Sequence, residues 1–228
     1  MQFMNYKRFV KNHFNTGVLQ SSDTESNQHI LVTNLFGFIG YSITFLMGVS
    51  AFIRQDRLLG VVLLTACLLF FSSRLILRSK RIANPYKLSA NLVTVSLMIL
   101  IIYLVFTEGV NGTGPLWIYI VPPVALFFGG MRIGIRNIGL FVLVISVLMF
   151  YPNDEWLGTS YTFEFKSRLI YSFLTVSFLF AFHEYVRQIS FIRIQEMIQE
   201  FKRQAMHDPL SGLLNRRVMQ DKLQKEFE

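Results

Sequence analysis

One cysteine, Cys67, stands in the whole chain, so an intrachain disulfide is excluded. Set inside an apolar run, its thiol reads as a small packing group rather than a redox centre. Charge is scarce too. Asp, Glu, Lys and Arg make up 16% of 228 residues, against 52% hydrophobic residues and 15% aromatics. Soluble domains carry more charge than this, so the balance points to a polytopic membrane protein. The first 29 residues lack the apolar core of a secretory signal peptide. The net charge of +8 requires no nucleic-acid partner, because its placement around the membrane accounts for it.

Long apolar runs, by contrast, are plentiful. A helix crosses a bilayer with about 20 residues. Six runs suit that role: 30–53, 58–77, 88–106, 115–128, 133–151 and 169–186. Lys and Arg collect on the cytoplasmic side of a membrane. With the N-terminus inside, 18 of the 22 basic residues fall in inner segments. Only Arg54, Arg57, Lys166 and Arg168 fall outside, beside Asp56, Glu108, Asp154, Glu155 and Glu164. The expected fold is an all-α membrane protein: six transmembrane helices, then a cytoplasmic, coiled-coil-like signalling helix. Both termini are cytoplasmic, and the basic inner loops touch anionic lipid headgroups.

Before the first span, Phe3, Tyr6, Val10 and Phe14 recur at helical spacing, with Lys7, Arg8 and Lys11 on the other side. That suits a basic amphipathic helix on the inner leaflet, with an irregular arm as the alternative. The polar run from Ser21 to Gln28 then leads into the membrane. Segment 1–29 is thus set apart from a membrane domain over 30–186.

The fourth run is short, carries Trp117 and Tyr119 near its outer end, and is interrupted by Pro122 and Pro123. Paired prolines remove two amide donors and are expected to kink it. Bent spans are tolerated where neighbours or a cavity satisfy the freed carbonyls. A glycine-rich loop, 109–114, precedes it. Arg168 opens the sixth span, and Tyr171, Ser172 and Thr175 follow on the same run. A pocket for a small apolar or amphipathic molecule is therefore placed around Trp117, Tyr119, Pro122, Arg168 and Tyr171. The competing reading makes Trp117, Tyr119 and Arg168 interface anchors and the hydroxyls helix–helix bonds.

Beyond the sixth span, Phe191, Ile194, Ile198, Phe201 and Ala205 are spaced three and four apart. That is a heptad seam over 187–206, flanked by charge. A parallel homodimer joined through it is preferred; a single helix laying the stripe on another element is the alternative.

The segment 207–228 opens with DPLSGLLNRR, Asp208 to Arg217. Asp208 can cap a new helix, and Pro209 suits its first turn. Leu210, Leu213, Leu214 and Val218 form a short apolar stripe, and Arg216 and Arg217 lie within reach of Asp208. Read locally, this is a helix–turn–helix joint. The stretch also resembles the start of GGDEF domains, the diguanylate cyclases, which open with a pattern close to D-x-L-T-G-L-x-N-R-R. Asp208, Leu210, Gly212, Leu213, Asn215, Arg216 and Arg217 match it, and Ser211 replaces Thr.

The resemblance covers about residues 205–228 and implies a joint between a signalling helix and a catalytic domain. In the family, the GGDEF loop, the metal-binding carboxylates and the guanine site all lie further along the chain. No catalytic residue is therefore assigned here, and the 228 residues are expected to be inert by themselves. The chain itself needs no cofactor; Mg²⁺ and GTP are implied for the domain beyond. The six-run layout is similar to the membrane-associated sensor (MASE-type) domains that precede GGDEF modules. The family active site forms between two domains, each holding one GTP, so output depends on how two protomers are juxtaposed. A sensor of bacterial inner-membrane type, controlling cyclic di-GMP synthesis, is the function this implies.

Two other classes compete. His207 follows a membrane-proximal helix, as in sensor histidine kinases, but Pro209 comes too early for that pattern. A transporter or channel is compatible with six spans, yet neither paired repeats nor midplane charges are evident.

Overall fold

The computed structural model describes residues 24–79, 82, 84–151, 160–206, 215, 219 and 220. Within them the chain is all-helical, with no strand. Five helical stretches are long and apolar enough to cross a membrane: Val32–Ile53, Arg57–Leu77, Pro85–Phe106, Gly114–Phe150 and Phe163–Phe201. The proposed helix over the first residues, together with Asp208, Gly212, Arg216, Arg217 and His207, lies outside the described residues.

Helix α1 spans Thr24–Ile53. It begins six residues before the expected first span, taking part of the polar lead into its first turns. Its C-terminus closes as a Schellman turn. Gln55 adopts φ 66°, its N–H bonds Phe52 O, and the Asp56 N–H bonds Ala51 O at 3.0 Å. Asp56 then caps α2 (Arg57–Arg78), accepting the Leu59 N–H at 3.1 Å. So tight a turn leaves Arg54 and Arg57 almost adjacent, as the short sequence loop requires.

Small residues let α1 and α2 approach closely. A Cβ at Gly37 would sit 3.5 Å from Ser73 Oγ, at Gly40 3.1 Å from the Phe70 ring, and at Gly48 3.0 Å from Leu64. Helices in lipid gain association mainly from such close packing, since lipid tails are as apolar as leucine. Cys67 donates its thiol to Tyr41 O across the same contact, at 3.4 Å. Helix α3 (Pro85–Phe106) then ties to α2 through Ser89, whose hydroxyl donates to Ser73 O at 2.8 Å. Arg74, read from the sequence as belonging to an inner segment, lies within α2 and is 6% exposed.

The loop after α3 holds Glu108, Gly109, Asn111 and Gly112 at positive φ. A short 3-10 helix, Gly114–Ile120, leads directly into α4, Val121–Phe150. Here the structure corrects the sequence reading. Pro122 and Pro123 do not interrupt a helix. They sit in the first turn of α4, where amides have no intrahelical acceptor and proline is tolerated.

The break falls instead at Gly130, with φ 63° and ψ −173°. In an unbroken helix Leu126 and Gly134 would lie about 12 Å apart along the axis. A Cβ on Gly134 would meet Leu126 Cα at 2.7 Å and Ala125 O at 2.8 Å. The chain therefore doubles back, and the two limbs touch through a glycine. These limbs correspond to the fourth and fifth runs of the sequence.

Helix α5, Phe163–Met206, has 44 residues, more than twice what one crossing needs. The chain divides into two compact units, at residues 1–181 and 182–228, and α5 contributes to both. In the first, Leu169 and Phe173 enter a core with Ile101, Ile118, Phe141, Ile145 and Met149. Phe173 and Phe141 lie 5.6 Å apart between ring centroids.

The second unit carries a local device twice. Glu184 accepts from Arg187 Nε and Nη2, both at 2.7 Å, and from Gln188 at 3.0 Å. Glu200 accepts from Arg203 and Gln204, each at 3.0 Å. Glu-x-x-Arg-Gln thus recurs at both ends of the signalling stretch and staples each turn.

Candidate functional site

Between α1, α2, α3 and the start of α4 lies a cavity of about 310 Å³. Its α1 wall comprises Phe36, Ile39, Gly40, Ile43, Thr44 and Met47. Leu63 and Phe70 of α2 lie opposite, and α3 contributes Val93, Leu97, Leu100, Ile101 and Leu104. Trp117, Ile120 and Val124 complete it.

This wall follows from how the helices meet. Glycines draw α1 against α2, whereas α1 faces α3 largely across the cavity. Phe36 reaches Phe128 of α4 edge-on, with ring centroids 5.7 Å apart, and so marks one end. Thr44 is the sole hydroxyl in the wall, and its Oγ1 donates to Gly40 O at 2.7 Å. That back-bond is the usual way for a threonine to satisfy itself in a helix.

The wall holds no nucleophile, acid or base, so what it can do is solvate apolar matter. Among the described residues no three His, Cys, Asp or Glu side chains converge in metal-binding fashion.

The five residues expected to form a pocket are distributed differently. Trp117 lines the cavity. Tyr119 turns the other way, to Ser172 of α5 at 2.5 Å. Pro122 is buried in the first turn of α4. Arg168 is exposed, and Tyr171 is 70% exposed. The structure brings Tyr119 to α5 but leaves Arg168 and Tyr171 on its outer surface. Sequence reading missed Phe36, Ile39, Leu97 and Leu100 because they are ordinary apolar residues in ordinary spans. Only their meeting in space marks them.

At the C-terminal end of α3, Tyr161 donates to Val105 O at 2.8 Å and stacks on Phe165, with centroids 5.2 Å apart. Burial, assisted by the nearby Glu108 carboxylate, pushes its phenol up to about 12. Both effects penalise the phenolate, so this tie stays intact at neutral pH.

In the second unit, three heptad residues face outward in the single chain, and the side chain of Ala205 lies outside those described. Ile194, Ile198 and Phe201 are exposed and Phe191 is half-buried. At the junction motif, the Asn215 N–H donates to Met206 O at 2.7 Å, and Met219 N–H bonds Asn215 O at 3.0 Å. The first bond holds Asn215 against the end of α5.

Compared with known protein families, curated proteins and solved structures, the chain matches none.

Proposed function

We propose that this chain is the membrane sensory region of a diguanylate cyclase, acting as a parallel homodimer in the bacterial inner membrane. The observation that carries the reading is the apolar seam of Ile194, Ile198 and Phe201, exposed in the single chain beside a half-buried Phe191 and followed at once by DPLSGLLNRR. A stripe of this kind at 3–4 spacing gains stability by meeting its own copy. The bond from the Asn215 N–H to Met206 O suits a joint between a signalling helix and a following domain.

Counting the two limbs of α4 separately gives six crossings, with both termini cytoplasmic. The 3-10 helix and first limb together reach about 27 Å, at roughly 2.0 Å and 1.5 Å of rise per residue. That is close to the hydrocarbon thickness of about 30 Å. Control of cyclic di-GMP synthesis would then work by shifting which packing of the dimeric helix is populated, which requires a stimulus with different affinity for the two.

The test joins the full chain to the nucleotide-cyclising domain of a soluble GGDEF protein, in lipid nanodiscs with GTP and Mg²⁺. Cyclic di-GMP should form, and Ile194→Asp with Ile198→Asp should reduce it at least tenfold. Equal turnover with and without the substitutions would sink the reading.

A further inference from the structure

We propose that the cavity is a binding site for a hydrocarbon chain that enters sideways from the bilayer. Its volume of about 310 Å³ is roughly twice that of the ~150 Å³ apolar cavity known to stay dry and to take a benzene. Water gains nothing there, since it needs two to four polar partners. The one hydroxyl, on Thr44, already spends its proton on Gly40 O. A polar headgroup would be equally unpartnered. Trp117 adds a single indole N–H, short of the partners a water or headgroup needs, so the wall selects alkyl matter.

Position supplies the source. Ile39 and Ile43 of α1 are 44% and 37% exposed, whereas Leu63, Ile101 and Val124 on the other walls are 2%, 1% and 1% exposed. The mouth thus opens beside α1. These residues sit at mid-length of a 30-residue helix, at the depth of acyl tails rather than headgroups. An apolar void left empty at that depth forfeits dispersion contacts on every wall. The neighbouring medium is the one thing able to fill it. Met47, with its flexible thioether, lets the wall adapt to chains of different length.

Binding at this site does not depend on any cyclase output. Failure of the cyclase assay therefore leaves it standing, and its own failure leaves the signalling helix untouched.

Trp117 lines the cavity and is one of two tryptophans, so Trp156→Phe makes it the sole tryptophan, read by excitation at the long-wavelength edge where the tyrosines do not absorb. In nanodiscs of phosphatidylcholine brominated at mid-chain, its emission should be quenched. Val93→Phe, which fills the cavity, should weaken that quenching at least twofold. Leu97→Gln, which places an amide in the wall without filling it, should do the same, and covers the case in which Val93→Phe does not fold. Dodecane is then added. Saturable recovery of emission assigns the site to exchangeable alkyl compounds, and no recovery assigns it to a lipid's own tail. Either result supports the proposal. Quenching that is absent, or equal in the parent and the folded cavity variants, overturns it.

Discussion

The phenol of Tyr119 and the hydroxyl of Ser172 meet at 2.5 Å, tying the 3-10 helix to α5. Ser172 is also within bonding distance of Arg168 O, at 2.7 Å. Its single proton goes to that carbonyl, so Tyr119 is the donor in the pair. Interhelical hydrogen bonds in membranes average about 0.6 kcal/mol and reach about 1.7. Tyr119→Phe and Ser172→Ala should each lower the thermal midpoint in detergent. A double-mutant cycle should return a coupling of about 0.6–1.5 kcal/mol. Additive effects would show that the contact contributes nothing.

The fold-back of α4 rests on Gly134, where any Cβ runs into the backbone of Ala125 and Leu126. Backbone atoms cannot yield as a side chain does, so Gly134→Ala should cost at least about 2 kcal/mol. Gly139, five residues on, has nothing within 4 Å of its Cβ position. There alanine should be neutral or stabilising by about 0.5–1 kcal/mol, through helix propensity. Denaturation of the two variants side by side checks the contrast. Similar stability in both would mean that the limbs do not touch.

Side-specific labelling tests the same fold-back as topology. In a Cys67→Ser background, cysteines replace Arg54, Thr113 and Thr162 on one side, and Asn84 and Arg132 on the other. If the limbs of α4 are separate crossings, a membrane-impermeant maleimide should label the first three from outside intact cells. The other two should react only after permeabilisation. Labelling of Thr162→Cys from the inside, with Thr113→Cys outside, would mean that 114–150 crosses once.

Tyr161 gives the fold a limit at high pH. Its neutral form is the one that donates to Val105 O, and its folded pKa is raised from 10.0 to about 12. The folded state thus holds the proton more tightly than the unfolded state. Stability from this tie is complete below about pH 10 and is lost as the pH climbs to about 12. Tyr161→Phe should cost about 1 kcal/mol at pH 7, and the difference from the parent should shrink above pH 10. A difference that stays constant from pH 8 to pH 12 would show that the phenol is not in this environment.

Much of this was legible in the chain itself. The apolar runs, the clustering of Lys and Arg between alternate runs, and the scarcity of charge point to an all-helical, membrane-type architecture. Each is a property of local composition, and lipid as solvent enforces it on any chain of that pattern. The heptad spacing at 191–201 and the DPLSGLLNRR junction were equally local, and no partner residue elsewhere was needed to see them.

Tertiary structure alone decided where space was left. Trp117 was conspicuous as a sequence feature, yet its companions in the cavity wall come from positions 36 to 124 and are plain Ile, Leu, Val and Phe. Nothing in their identity distinguishes a residue that lines a void from one that fills it, because the difference lies in what the opposite helix presents. Arg168 and Tyr171 drew notice for the same local reasons as Trp117, and the packing of α5 left both on its surface. The kink followed the same logic. Pro122 and Pro123 signalled a break, but proline in a first turn breaks nothing, and the reversal went to Gly130 and Gly134. Only there can two backbones come close enough for one limb to lie on the other.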